Sequence, residues 1–294
     1  MNYHLNDNII ITGATGLLGS QFKTTLMRSG LTVKELSKTQ LDLSSGAKKI
    51  RTIIESYQSN TLIHCAAFTN VDACEVDKDK CFEVNTFLPE ILASICNSLN
   101  MKFVFISSTG IYGEHSNKPY KESDKPLPTT WHHQSKLKAE ELVRSVCPNH
   151  LIVRTGWLFG GAPKLRKNFV FRRIDEAKEN SGTMYSDETQ IGNPTFVNDV
   201  VDRVLQLTSD DLVGTFNCVN EGCATRLDYV REIILLAGLS NQVTVIASPQ
   251  KFERIASVSK NESASNYKMN LLGYPKMRNW KYALKEYLLT VREV

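Results

Sequence analysis

The sequence predicts an α/β chain built on a doubly wound parallel sheet, with a smaller domain interleaved toward the C-terminus. Three observations predict it. Residues 9 to 19 run Ile9-Ile10-Ile11-Thr12-Gly13-Ala14-Thr15-Gly16-Leu17-Leu18-Gly19, an apolar run that breaks into three glycines and opens a helical pattern. Short apolar runs then alternate with amphipathic stretches as far as residue 155. After Trp157 the alternation lapses, and Gly160-Gly161-Ala162-Pro163 marks a turn.

The elements follow in order. Ile9–Thr12 is β-branched and forms the first strand; Gly16–Ser29 is the helix after it. Between them Gly13 allows a tight turn, Gly16 allows backbone to approach a pyrophosphate, and Gly19 allows close packing of helix on strand. The helix N-terminus offers unpaired N–H groups to phosphate. Thr32–Leu36 and Thr61–Cys65 are strands around an amphipathic helix over Ala47–Tyr57. Cys74–Asn85 and Leu88–Leu99 are helices, Pro89 being tolerated in a first turn. Lys102–Ser107 and Leu151–Arg154 are strands joined through a helix over Gln134–Val146. Strands separated by helical crossovers imply a parallel Rossmann sheet whose ligand lies at the strands' carboxyl ends. Beyond Trp157, helices are expected at Asn168–Glu179, Asn198–Thr208, Arg226–Ala237 (capped by Thr225) and Trp280–Leu289. Strands are expected at Thr183–Ser186, Thr215–Val219 and Asn241–Ala247, and a polar loop at Ser257–Ser265. The expected division is a dinucleotide-binding domain of residues 1–158 and 193–219, and a smaller substrate-binding domain of residues 159–192 and 220–294.

Composition narrows the class. The chain has 294 residues, 41% apolar and 22% charged, ordinary for a globular protein. A net charge of +4 is too mild and scattered to argue for nucleic acid. No run of about 18 apolar residues exists, so no membrane partner is expected. The polar opening stretch Met1–Asn8 lacks the apolar core of a secretory signal. Seven scattered cysteines, none in a C-x-x-C pair, are expected to be reduced thiols in a cytoplasmic protein. The histidines make no metal-ligand spacing, so no metal is expected.

Phe103–Ser108 is an apolar strand ending in hydroxyls, and Ser108 there can either polarise a carbonyl or cap a turn. In the segment His132-His133-Gln134-Ser135-Lys136 the four-residue spacing puts His132 and Lys136 on one helix face.

These motifs together resemble an extended short-chain dehydrogenase/reductase, and within it the dTDP-4-dehydrorhamnose reductase family. Besides the glycine motif, Cys65-Ala66-Ala67-Phe68-Thr69-Asn70-Val71-Asp72 is similar to the family's N-A-A-x-T-x-V-D. Val84-Asn85, Arg154-Thr155-Gly156-Trp157, Asn168-Phe169, Gly192-Asn193-Pro194-Thr195 and the closing Trp280–Leu288 helix also match in order. The resemblance covers nearly the whole chain. It implies a catalytic Ser108 and Lys136, with His132 where the family has tyrosine. Thr109 replaces the family's aspartate, and Asn261–Lys268 stands in place of its arginine-proline pair.

In the family's reaction a phenol donates the proton, its pKa lowered from about 10 by the lysine. Imidazole starts near 6.5 and is shorter. Three readings stay open: His132 is the acid; Tyr112, His133 or water takes that role; or reduction is lost and the chain is a regulatory binder. A nucleotide-sugar epimerase or dehydratase of the same superfamily is a further alternative.

Ser37-Lys38 ends the second strand without an acid, which favours NADP(H) over NAD(H). Glu35 argues mildly for NAD, but strand alternation points it away. The resemblance implies a cofactor cradle of Gly13, Thr15, Gly16, Leu17, Leu18, Ser37, Lys38, Asp42, Leu43, Cys65, Ala66, Ala67, Thr69, Asn85 and Lys136. It implies a substrate pocket of Val71, Thr109, Tyr112, Trp157, Asn168 and Phe169. Trp157 and Phe169 are equally readable as inter-domain core. Lys164, Arg166, Lys167, Arg172 and Arg173 are basic residues that either meet a diphosphate or form a solvated helix face. The implied partner is a nucleotide-activated 4-keto sugar of a surface-polysaccharide or deoxysugar pathway, with a homodimer left open.

Overall fold

The structure, a computed structural model, describes residues 8–165, 168–180, 182–250 and 253–292. The basic pair Arg166 and Lys167 and the polar opening stretch 1–7 lie outside them.

The strands of the main sheet are β1 (Asn8–Thr12), β2 (Thr32–Leu36), β3 (Thr61–His64), β4 (Lys102–Ser108), β5 (His150–Thr155) and β10 (Gly214–Asn217). They lie in the order β10-β5-β4-β3-β1-β2, and every pair is parallel. The chain winds outward from β1 to β2, then crosses back to β3 on the other side of β1. The crevice between β1 and β3 is therefore the topological switch point, where open α/β sheets bind ligands.

Burial follows the strand period of two. Ile9 and Ile11 face one layer and Ile10 the other, and all three are fully buried. Each contributes about 1.5–3 kcal/mol over an exposed position. On the Ile10 side lie helices α2 (Ala47–Ser56), α5 (Leu88–Ser98) and α6 (Trp131–Val146), through Ile50, Ile54, Leu92, Ala139 and Val143. On the other side lie α1 (Leu17–Arg28) and α8 (Val197–Ser209), through Phe22, Leu26, Val200 and Val204.

The remaining elements are β6 (Leu158–Phe159), α7 (Phe169–Glu179), β7 (Gly182–Ser186), β8 (Ile191–Gly192), β9 (Thr195–Phe196), β11 (Ala224–Thr225), α9 (Arg226–Ala237), β12 (Val243–Ala247), α10 (Tyr267–Leu271) and α11 (Trp280–Arg292). Two-stranded pairs β6–β9, β8–β11 and β7–β12 organise this part. Its core residues Phe159, Val170, Tyr229, Trp280 and Tyr287 belong to the same cluster as Phe22 and Val153. The C-terminal elements thus share one continuous apolar core with the α1/α8 face of the sheet.

Two expectations are corrected. The helix expected over Cys74–Asn85 is broken into α3 (Val71–Val76) and α4 (Lys78–Phe82), followed by a π turn over Glu83–Phe87. Asp77 makes the break, its carboxylate accepting from Lys80 N at the start of α4. Helix α6 begins three residues earlier than expected, because the Thr130 side chain caps it by accepting from His133 N. His132 therefore sits in its first turn.

Candidate active site

The glycine turn closes the switch point. Gly13 has φ +68°, and a Cβ there would lie 2.7 Å from Ala66 N, so neither strain nor space admits a side chain. A Cβ on Gly19 would lie 2.1 Å from Gly13 O, which is why α1 can pack so near the turn. Gly16 differs: it is exposed, and a Cβ would meet only Gly13 O at 3.2 Å. Its outer face, with that of exposed Thr15, is open to an approaching group. The first turn of α1 carries no acid. Open N–H groups and an absence of negative charge suit a dinucleotide's phosphates. Leu18 faces the core and Leu17 is half-buried, so their contribution to that cradle is their backbone.

Across the crevice, Thr12 Oγ1 accepts from Ala66 N at 3.2 Å and pairs with His64 Nδ1 at 2.8 Å. This fixes the half-buried Cys65-Ala66-Ala67 segment against β1. Burial, aided by the Lys136 charge, holds His64 down at about 3, so it is neutral. Burial pushes the Cys65 thiol up to about 12. At the end of β2, Ser37 and Lys38 are exposed. Glu35 is taken by an ion pair with Lys23 of α1 and leaves that end without a carboxylate for a ribose. Asp42 is exposed and caps the following turn through Ser44 N at 3.0 Å, with half-buried Leu43 beside it. The Ser44 hydrogen bonds hold the Asp42 carboxyl below its usual range.

Lys136 is buried beneath the ends of β3 and β4. Its Nζ donates to Ile106 O at 2.9 Å and lies 4.6 Å from the Phe105 ring. Desolvation lowers it to about 8. Ser108, opposite Thr155 across the β4–β5 ladder, accepts from Gly110 N at 3.2 Å. The hydroxyl proton of Ser108 has no acceptor among the described residues, so it is available to a carbonyl.

His132 Nδ1 lies 3.0 Å from Phe68 O. A carbonyl only accepts and lies nearer than the Asn85 amide nitrogen at 3.4 Å, so Nδ1 is assigned the hydrogen, and in the neutral ring Nε2 is then an acceptor. Asn85 is fully buried and braces the same loop, accepting from Phe68 N at 2.8 Å and donating to Phe68 O at 3.1 Å. In the structure it braces the loop after β3. His133 is buried, paired with Thr130 Oγ1 at 3.0 Å, and lowered to about 4 by desolvation. Its ring packs so closely on Gly110 that a Cβ there would lie 2.2 Å from Nε2.

Tyr112 is fully buried, donating to Asn217 Oδ1 at 2.8 Å and accepting from Arg154 Nη1 at 2.9 Å. Burial raises it to about 12. The structure thus places Tyr112 in an interior hydrogen-bond network with Asn217 and Arg154. Asn168 is likewise fully buried: it caps α7 through Phe171 N and donates to Gly160 O, Ala162 O and Tyr287 Oη. Its amide is engaged on both its oxygen and its nitrogen. Phe169 stacks on Tyr229, and Thr109 is buried against Gly156. Half-buried Val71 and exposed Thr69 flank the Asn70 cap of α3. Trp157 is 9% exposed, covered by Gly192 and by the Arg226 guanidinium, whose Cζ is 3.4 Å from the ring centroid.

The family model described as the RmlD substrate binding domain matches residues 7–293. The chain belongs to this family. A dTDP-4-dehydrorhamnose reductase of Mycobacterium tuberculosis is 28% identical over 95% of this chain and 91% of that protein. A crystal structure of dTDP-4-dehydrorhamnose reductase from Bacillus anthracis in complex with NADP is 27% identical. It covers 97% of this chain and 100% of its own, with a TM-score of 0.90. A dTDP-4-dehydrorhamnose reductase from Clostridium acetobutylicum gives 30% identity and a TM-score of 0.90 over 97% and 99% of the two chains. The resemblance read from the sequence is borne out.

Within this RmlD-family chain, the sequence reading passed over Arg226 and Glu262. Glu262 Oε2 accepts from Trp157 Nε1 at 2.8 Å and is 8% exposed. The only signal was the departure at Asn261–Lys268. The polar loop expected at Ser257–Ser265 overlaps it and is buried at Ser259 and from Asn261 to Ala264: Asn261 donates to Ser116 O and Lys118 O, and Ser263 N donates to Asn261 Oδ1.

Proposed function

We propose that the protein is an NADPH-dependent reductase of a nucleotide-activated 4-keto-6-deoxy sugar, acting in the cytoplasm in surface-polysaccharide or deoxysugar biosynthesis. One observation carries the reading: the open glycine turn, the buried Lys136 ammonium and the Ser108 hydroxyl converge on the carboxyl edge of β1, β3 and β4. The family relatives named as dTDP-sugar reductases support the substrate class, and the relative solved with NADP supports the cofactor. We carry the same division of labour: residues 1–158 and 193–219 for the dinucleotide, residues 159–192 and 220–294 for the substrate. Among the described residues no helix is long and apolar enough to cross a membrane.

NADPH, when bound, supplies the hydride for the keto carbon. The α1 N-terminus and the Thr15-Gly16 backbone hold the pyrophosphate, and Ser37 and Lys38 meet the 2′-phosphate. Lys136 in its charged form holds the ribose hydroxyls. Ser108 donates to the substrate carbonyl, whose oxygen gains charge during reduction. His132 stands at the proton-donor position. With Nδ1–H committed to Phe68 O, it can deliver a proton from Nε2 only from the imidazolium form, whereas a phenol delivers one while neutral. That tether also supports a second reading, a binder that holds NADPH and nucleotide sugar without turnover.

Calorimetric titration with NADPH, then keto-sugar addition while watching the reduced-nicotinamide absorbance, separates the two. Cofactor oxidation supports the reductase. Tight binding of both ligands without oxidation defeats it.

A further inference from the structure

The reduction step uses neither half-buried Arg226 nor buried Glu262, yet both are set around one indole. Trp157 has φ +48°, an unfavourable region for an aromatic residue, and its carbonyl is pinned there by Thr195 N at 3.1 Å. The ring donates its Nε1–H to Glu262 Oε2 at 2.8 Å and has the Arg226 Cζ 3.4 Å from its centroid. Arg226 Nε donates to Gln190 Oε1 at 3.1 Å, and Glu262 N to Ile191 O at 2.8 Å. Both residues are thus anchored from one side by the 190–192 segment.

Their other edges are unspent. Among the described residues, no hydrogen bond or ion pair joins Arg226 to Glu262, and neither the Nη groups of Arg226 nor Oε1 of Glu262 has a hydrogen-bond partner. The two charges nevertheless act on each other, the carboxylate favouring the charged guanidinium and the guanidinium the charged carboxylate. Desolvation works against both, lowering Arg226 to about 10 and raising Glu262. These edges are not sealed in the interior, so a ligand can reach them. A group that satisfies both at once must accept from a guanidinium and donate to a carboxylate at neighbouring atoms. Arg254 also acts on both groups, so charge alone does not select the ligand; a group that only accepts leaves Glu262 Oε1 unmet, one that only donates leaves Arg226 unmet, and an apolar group meets neither. Adjacent hydroxyls meet both demands.

We propose that Arg226 and Glu262, set around the Trp157 indole, form the subsite for two adjacent hydroxyls on the sugar ring of the substrate. The inference rests on the nucleotide-sugar reading above. Its place fits: Trp157 follows directly on the end of β5, where Thr155 lies in register with Ser108. The subsite orients the ring while Ser108 holds the carbonyl.

The test is calorimetry on the NADP-loaded protein, with dTDP and dTDP-L-rhamnose as probes, for wild type, Glu262→Gln and Arg226→Lys. Glu262→Gln keeps the shape and the Trp157 bond, so it decides the matter even if the Arg226 variant does not fold. The expected result is a loss of tenfold or more for dTDP-L-rhamnose with dTDP binding within twofold of wild type. Unchanged affinities, or an equal loss for both probes, overturns the subsite and leaves the reductase reading standing. A wild type that binds the sugar nucleotide no better than dTDP also overturns the subsite alone. A wild type that binds neither probe overturns both readings.

Discussion

The Nδ1 atom of His132 donates to the carbonyl oxygen of Phe68 at 3.0 Å, which ties the side chain proposed as the proton donor to the loop after β3. The tie fixes both the tautomer and the ring's orientation. His132→Phe removes the bond and the proton donor but leaves the cofactor cradle intact. NADPH affinity should stay within about threefold. The hydride-transfer rate should fall by about 10²–10⁴, the range for losing a general acid. Stopped-flow decay of NADPH absorbance measures it, and a rate within tenfold of wild type would remove His132 from the chemistry.

Lys136 gives the reaction a pH limit. Its ammonium, lowered to about 8 by burial, is charged at neutral pH and loses its proton as pH rises through that value. NADPH affinity should therefore be flat from about pH 6.5 to 7.5 and weaken above about 8, and Lys136→Arg should flatten the profile. Stability runs the other way. Between about 8 and 10.5 the unfolded chain binds the proton that the folded chain has lost, so stability rises with pH across that window. Below it the buried charge costs the fold roughly 3 kcal/mol. Lys136→Met should raise the melting temperature of the cofactor-free protein at pH 7 while abolishing turnover. A lowered melting temperature would mean that the bond to Ile106 O outweighs the desolvation.

Gly16 and Gly19 should fail differently. Gly19→Ala drives a Cβ to 2.1 Å from Gly13 O, backbone against backbone, and should cost about 1–3 kcal/mol or more of stability. Gly16→Ala meets only one atom, at 3.2 Å, and projects to the open side. That variant should melt within a few degrees of wild type yet bind NADPH at least tenfold more weakly. Equal loss of stability in the two would show that Gly16 serves packing rather than the cofactor.

How much of this was legible in the chain depends on the range of the interaction. The Ile9–Thr12 strand, the glycine turn and the helix after it announce themselves locally, because period-two burial and the turn's steric demands are written in adjacent residues. The parallel sheet followed from the alternation. Asp77 was missed as a break because an aspartate inside an amphipathic stretch looks solvated until its capping of Lys80 N is seen. Tyr112 and Asn168 were assigned to the pocket by the family resemblance, and their interior hydrogen bonds were not legible in the chain. Their partners Asn217, Arg154 and Tyr287 are 42 to 119 residues away in sequence. Arg226 and Glu262 were invisible for the same reason: a first-turn arginine and a glutamate in a polar stretch acquire meaning only through Trp157.

Selectivity for NADPH should reside at the end of β2. Lys38 is exposed there and Glu35 is occupied by Lys23, so the nearest charge for a 2′-phosphate is positive. Lys38→Ala should weaken NADPH by roughly three- to tenfold and leave NADH unchanged, the modest size expected of an exposed charge-assisted contact. Ser37→Asp should go further, since an acid repels the phosphate and accepts from a free 2′-hydroxyl. Fluorescence titration with both cofactors is the measurement, and an unchanged NADPH/NADH ratio in both variants would place the selectivity elsewhere.

The buried Arg154–Glu140 pair ties β5 to α6, the helix that carries His132 and Lys136. Arg154 donates to both carboxylate oxygens of Glu140 at 2.7 to 3.2 Å, Ser107 adds a bond of 2.6 Å, and Tyr112 closes the other side. Glu140 is fully buried and Arg154 is 4% exposed, so removing one charge strands the other. Glu140→Gln should destabilise the protein by about 3–5 kcal/mol in urea denaturation. The double change Glu140→Gln with Arg154→Met should recover part of that loss, because no uncompensated guanidinium remains in the interior. If the double variant is less stable than the single one, the pair contributes net stability beyond mutual compensation. If it is more stable, the pair's principal role is to set the position of α6 against β4 and β5, and with it the reach of Lys136 toward the cofactor site.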